Sequence, residues 1–178
     1  MGTPDVDSRL HNLLAKDEIC DVLGRYCRGI DRIDLDLVRT CYHPDATDDH
    51  GRYRGDVDGF IEWVGPTLRR FERTMHFLGT GNIEVRGDVA AAETYAVAYH
   101  RGTTPAGVLS DHTIGLRYLD RFEYRLIGER GEPQWRIARR TCALEWRRDD
   151  PVAGSGAFPP EYTLGVRGPD DLVYTLFD

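Results

Sequence analysis

The run NIEVRGDVAAAETYAVAYHRG, residues 82–102, alternates with a period of two around the Arg-Gly-Asp at 86–88. That is the pattern of two antiparallel strands joined by a tight turn. On its second arm Ala90, Ala92, Thr94, Ala96, Ala98 and His100 share one face, and Val89, Ala91, Glu93, Tyr95, Val97, Tyr99 and Arg101 share the other. A row of small side chains leaves volume on its own side of the sheet, and close-packed interiors do not leave volume empty. Either a helix carrying large residues fills it, or a ligand does, in a cavity that ends at His100. The tyrosine-bearing face suits a subunit interface or solvent.

Downstream, DHTIGLRYLDRFEYRLIGERGEPQWRIARRTCALEW (111–146) reads as two more long strands joined by a Gly/Pro/Glu loop at 128–133. The first puts His112, Ile114, Leu116, Tyr118, Asp120, Phe122 and Tyr124 on one face, where Asp120 needs a polar partner or a cavity. The second alternates Trp135, Ile137, Arg139 and Thr141 against Arg136, Ala138, Arg140, Cys142, Leu144 and Trp146. Upstream, apolar residues recur three and four apart over 8–30, a helix for which Ser8 is the expected N-cap. A second, short helix is expected near Asp34, ended by Pro44, and a third over 56–74 that Pro66 bends or interrupts. Helices first and a long meander after them predict an α+β domain over 1–150, with the helices on one face of a curved, mostly antiparallel sheet. A curved sheet closed at one end by helices forms a cone, and cones hold ligands. Residues 151–178 read as a tail that either covers the pocket or a subunit interface, or moves freely.

Composition narrows the function classes. The 178 residues carry a formal charge of −7, with 30% charged and 40% hydrophobic side chains. That balance argues against nucleic acid or an anionic membrane as partner. The four cysteines form no CxxC pair, which argues against zinc. The first twelve residues lack the basic start and apolar run of a secretory signal, and no apolar run reaches membrane-spanning length. A cytoplasmic enzyme or binding protein is expected. The cluster HPDATDDH (43–50) could hold a metal, but it has no HxH or HExxH spacing, so no metal ligand is assigned. The chain has no GxGxxG fingerprint and no P-loop, so no nucleotide cofactor is expected.

Of the six histidines, His76 and His100 lie on apolar strands, and adjacent strands of a meander can place both in one cavity. Asp31 falls at a helix C-terminus, where the macrodipole disfavours a carboxylate and a compensating donor is needed. A carboxylate on one ring nitrogen of His76 fixes the tautomer and makes the other nitrogen a base. The plainer alternatives stay open: His76 as a satisfied core histidine, and Asp31 as part of a helix-ending turn before an N-cap at Asp34.

In order, the segments DEICDVLGRYCRGIDRIDLDLVRTCYHPDATDDHG, TMHFLGTGNIEV, VAAAETYAVAYHRG and GLRYLDRFEY with WRIARRTCALEW resemble the SnoaL-like branch of the NTF2-like superfamily, over roughly residues 10–150. The resemblance implies a cone-shaped barrel with an internal pocket. It also implies a cofactor-free lyase of dehydratase or dehydrohalogenase type, assembled as a trimer or dimer. On the family's motif, Asp31 and His76 match its Asp–His general base, Tyr26 matches a tyrosine five residues before the aspartate, and His100 matches a second histidine. Tyr26, or His100 if protonated, then donates to the departing or enolic oxygen. Arg139 matches an arginine late in the fold, and the tail has no counterpart. With His50, Trp63, Phe77, Tyr118 and Asp120, Arg139 completes the expected substrate-binding set. The alanine row and the aromatics fit a small apolar substrate of polyketide, steroid or terpenoid type. An isomerase or cyclase with the same pair, or a ligand-binding protein without turnover, are the alternatives.

Overall fold

The computed structural model describes residues 5–128, 131–153 and 158–176. Three helices, α1 (Val6–Arg32), α2 (Leu35–Thr40) and α3 (Val57–Arg69), accompany a six-stranded sheet. The strands are β1 (Tyr42–Asp49), β2 (Arg54–Asp56), β3 (Phe71–Arg86), β4 (Val89–Thr103), β5 (Leu109–Leu126) and β6 (Pro133–Pro151), and a short 3₁₀ turn (Leu172–Thr175) closes the tail. The sheet order is β2-β1-β6-β5-β4-β3. All neighbours are antiparallel except β1 and β6, which run parallel. In that order β1 and β3 lie toward opposite sides of the curved sheet, and the helices pack on its concave face.

The hairpin falls where alternation placed it. Arg86 pairs with Val89, and Gly87 takes φ 60 at the first central position, which only glycine adopts cheaply. Ala90, Ala92, Thr94, Ala96 and Ala98 are all buried. The helix boundaries differ in instructive ways. Asp5, not Ser8, caps α1, accepting the Ser8 backbone N–H at 2.8 Å. Leu10, Leu13 and Leu14 stay exposed, so the core begins only at Ala15. Pro44 lies inside β1 rather than ending α2, and α3 stops at Arg69 so that Phe71 opens β3. Pro66 sits within α3. Of the loop expected at 128–133, residues 129 and 130 lie outside the described residues.

The end of α1 sets up everything that follows. Asp34 N–H bonds the Gly29 carbonyl at 2.9 Å while Ile33 adopts a left-handed φ of 57, a Schellman-type reversal. A Cβ on Gly29 would meet Val38 Cγ2 at 2.6 Å, so glycine is what lets α2 fold back so closely. The reversal leaves Asp31 in the last turn of α1, buried against the sheet.

The last strand corrects one reading. Arg121 pairs with Arg139 but Phe122 pairs with Ile137, so Ala138 is an extra residue, a β-bulge. The bulge reverses the inward parity of β6 between Ile137 and Arg140. Arg139 is therefore exposed and turned away, and Arg140 is the arginine that faces in.

Candidate active site

The concave face and the helices enclose a cavity of about 1280 Å³, lined among others by Tyr26, His50, Trp63, His76, His100 and Tyr118. Ligand pockets usually span about 300–1,000 Å³, so this one has room for a multi-ring molecule.

Asp31 reaches across from α1 to β3 and grips His76 twice. Its Oδ1 accepts from the ring Nδ1 at 2.8 Å, and its Oδ2 accepts from the His76 backbone N–H at 2.8 Å. Burial alone would raise the Asp31 pKa, but the hydrogen bonds and charge of His76 outweigh it and hold the carboxyl below its usual 3.8. With Nδ1 committed to Asp31, the ring's Nε2 is left as the acceptor. His100 is one strand over, its ring centre 5.4 Å from that of His76 in an edge-on contact. Burial, reinforced by the neighbouring His76, pulls the His100 pKa down to about 3. A ring so shifted is neutral at ordinary pH, so of the two donors considered His100 offers a neutral N–H.

That shift has a stability consequence. Unfolded His100 takes up its proton near 6.5 and the folded protein resists until about 3. The stabilisation of the neutral ring is complete above 6.5 and is lost as pH falls toward 3, at up to about 1.4 kcal/mol per pH unit. His100→Asn should flatten this acid ramp in urea denaturation followed between about pH 4 and 7. An unchanged ramp would refute it.

On the other wall is a second carboxylate–imidazole pair. Asp48 Oδ1 bonds His50 Nδ1, and Asp48 Oδ2 accepts the Tyr42 hydroxyl at 2.7 Å. His50 Nε2 meets the Tyr26 hydroxyl at 3.2 Å. The His50 ring stacks on Phe60, with centres 4.7 Å apart. Beneath Tyr26 lies Arg140, 0% exposed, its guanidinium 4.1 Å from the Tyr26 ring and 4.2 Å from the Tyr118 ring. Arg140 makes two hydrogen bonds to Asp120, at 2.8 and 2.7 Å. Burial disfavours the Arg140 charge, but Asp120 more than offsets it and raises the arginine pKa. Burial likewise pushes the Tyr26 phenol up, against the opposing pull of Arg140.

The structure thus gathers Asp31, His76, His100, Tyr26, His50, Trp63 and Tyr118 around one cavity and leaves three expected residues out. Phe77 is 65% exposed on the convex face, because it follows His76 on a strand and so points the other way. Asp120 is consumed by Arg140 under the cavity wall, and Arg139 is turned out by the bulge. Sequence reasoning missed Asp48, Arg140 and Arg167. Asp48 carried a signal, since residues two apart on a strand share a face with His50. Arg167, in the tail, donates to the carbonyls of Leu68 (2.8 Å), Phe71 (2.6 Å) and Asp31 (3.3 Å), tying the end of α1 to the start of β3. Tyr174 and Asp171 add bonds to Asp34 and Arg32. Among the described tail residues, Pro151 lines the cavity, while Arg167, Asp171 and Tyr174 bind at that junction. The members of HPDATDDH take separate partners: His43 the Glu123 carbonyl, Asp45 Arg125, Asp49 Arg54. Among the described residues no three potential ligands converge on a metal position.

A sequence model of the SnoaL-like domain matches residues 11–141, most of the chain. No curated protein sequence matches it. Among solved structures, a candidate scytalone dehydratase from Novosphingobium aromaticivorans is 18% identical, with 90% of this chain and 100% of that one covered and a TM-score of 0.65. The hexachlorocyclohexane dehydrochlorinase LinA-type3 from Novosphingobium barchaimii is 18% identical, with 85% and 99% covered and a TM-score of 0.66. An NTF2-like protein from Novosphingobium aromaticivorans is 24% identical, with 80% and 92% covered and a TM-score of 0.60. At these identities the similarity shows the fold, which is NTF2-like.

Proposed function

The chain belongs to the SnoaL-like domain family, and from that premise we propose that it is a cofactor-independent lyase acting on an apolar, multi-ring substrate of polyketide, steroid or terpenoid type. The observation that carries the reading is the pair of hydrogen bonds from His76 to Asp31, which leaves His76 Nε2 free as an acceptor in a cavity walled by aromatic rings. His76 takes a proton from a C–H made acidic by a neighbouring carbonyl, Asp31 stabilises the resulting imidazolium, and a leaving group departs from the adjacent carbon. Tyr26 or the neutral N–H of His100 hydrogen-bonds the enolic oxygen. A dehydratase and a dehydrochlorinase among the proteins of this fold lend the class support.

The test is product identity. Wild type is incubated with cyclic β-hydroxy and β-chloro ketones, and the products are resolved by mass and proton NMR. Loss of water or chloride supports a lyase. A product of unchanged mass with a moved double bond indicates an isomerase or cyclase, and binding with no product indicates a ligand carrier.

We place the protein in a reducing compartment, the cytoplasm, on its four free cysteines. No described helix is long and apolar enough to cross a membrane. We further propose a homo-oligomer, trimer or dimer, joined through the convex face. There Phe77, Tyr95 and Trp146 line a shallow depression of about 470 Å³ and are exposed. Sedimentation should show an assembly that Phe77→Asp with Trp146→Glu reduces to monomers. A wild-type monomer would end that idea.

A further inference from the structure

Two Asp–His pairs face one cavity, and the base reading uses only one of them. Resting on the lyase reading, we propose that Asp48 and His50 form a second acid–base pair that supplies protons through Tyr26 to an oxygen leaving group. The substrate is then a β-hydroxy or β-alkoxy carbonyl compound rather than a halide.

The hydrogen-bond polarity points this way. Asp48 accepts from Tyr42 and is buried, so its other oxygen draws the proton of His50 onto Nδ1. In neutral His50, Nε2 is then an acceptor, and the Tyr26 hydroxyl spends its proton on it. In the imidazolium, Nε2 donates to the Tyr26 oxygen instead, and the Tyr26 proton is released to point into the cavity, which Tyr26 also lines. Arg140 against the face of the Tyr26 ring favours negative charge on that phenol as its proton leaves. The groups acting on His50 come from every side: Asp48 and the half-buried Asp49 on β1, Tyr26 on α1, and Arg140 with Asp120 from β6 and β5. From α3 come only the rings of Phe60 and Trp63.

The step balances. His76 takes the C–H proton, the electron pair of that bond becomes the C=C bond, and the C–O bond breaks. The leaving oxygen takes the Tyr26 proton, and Tyr26 takes the Nε2 proton of the His50 imidazolium. Water or an alcohol departs, leaving His76 charged and His50 neutral, and one proton exchanged through solvent restores both. Hydroxide leaves poorly without that proton, whereas chloride needs none, so a built-in acid is meaningful only for oxygen.

The experiment compares a bicyclic β-hydroxyketone with its β-chloro counterpart on wild type, His50→Gln, Asp48→Asn and His76→Ala. His76→Ala should stop both reactions. His50→Gln should lower kcat on the hydroxyketone about 10²-fold or more, with a loss at least about 30-fold larger than on the chloroketone. Asp48→Asn should show the same leaving-group dependence. Equal losses on both ketones would mean that the pair is structural. No loss on either would remove it from the reaction, and both results overturn the relay while leaving the lyase standing. If wild type eliminates neither ketone, the lyase reading fails and the relay with it.

Discussion

His76→Ala should cost the elimination reaction about 10²–10⁴-fold in kcat, the usual contribution of a positioned general base. Asp31→Asn should come close to it while keeping the shape of the site, and the reason is specific to this geometry. The Asp31 side chain accepts from both the backbone N–H and the ring Nδ1–H of His76. An asparagine has only one acceptor to offer. If its oxygen keeps the backbone N–H, its amide nitrogen faces Nδ1 and forces the proton of the ring onto Nε2, the nitrogen that has to be free. The wrong tautomer is then the stable one. Steady-state kinetics on the substrate that wild type eliminates is the measurement, with thermal unfolding to show that the variants fold. Activity within about threefold of wild type in both variants would remove the pair from the chemistry. Asp31 also carries a pH term of its own. Its carboxyl is held below 3.8 in the folded protein, so what it adds to stability is present above that value and lost only as pH falls through the lower folded value.

The second large effect is on stability. Arg140→Met strands the Asp120 carboxylate in a fully buried position and should cost about 3–5 kcal/mol, as should Asp120→Asn from the other side. For a chain of this size that lowers Tm by roughly 6–20 °C. Arg140→Met with Asp120→Leu should recover most of the loss, because a buried ion pair contributes little net stability over an apolar pair of similar volume. Urea denaturation of the four proteins decides it. A single-variant cost under about 1 kcal/mol, or a double variant no more stable than Arg140→Met alone, would refute the account.

Much of the fold is legible in the chain itself. The switch from a period near 3.6 to a period of two after residue 74 carries the α+β order, and strand parity puts His76 and His100 on one side. The pocket role expected of Phe77 conflicts with that same parity: a residue beside an inward histidine has to face outward. Arg139 is a different kind of miss. The bulge at Ala138 is a tertiary event with no glycine to mark it, and it reassigns an inward position to Arg140. Asp48 is visible in the chain as one of several acids in a turn-rich stretch, marked out there by nothing but its two-residue spacing from His50. What singles it out is the sheet order, which carries β1 across to face β3. Arg167 lies in a segment without periodicity, where no rule of spacing speaks.

The parallel pairing of β1 with β6 has a consequence in time. Arg136 of β6 reaches the carbonyl of Tyr42, 94 residues earlier, and β1 has no other long neighbour. On the ribosome, α1 and β3 can deliver Asp31 and His76 early. Yet the wall that holds Asp48, His50 and the Arg140 beneath Tyr26 waits for the last strand. Closure across so long a loop is slow and is the step most exposed to failure. An unfinished chain would hold Asp31 and His76 with no chamber around them, because the opposite wall forms only when β6 zips in.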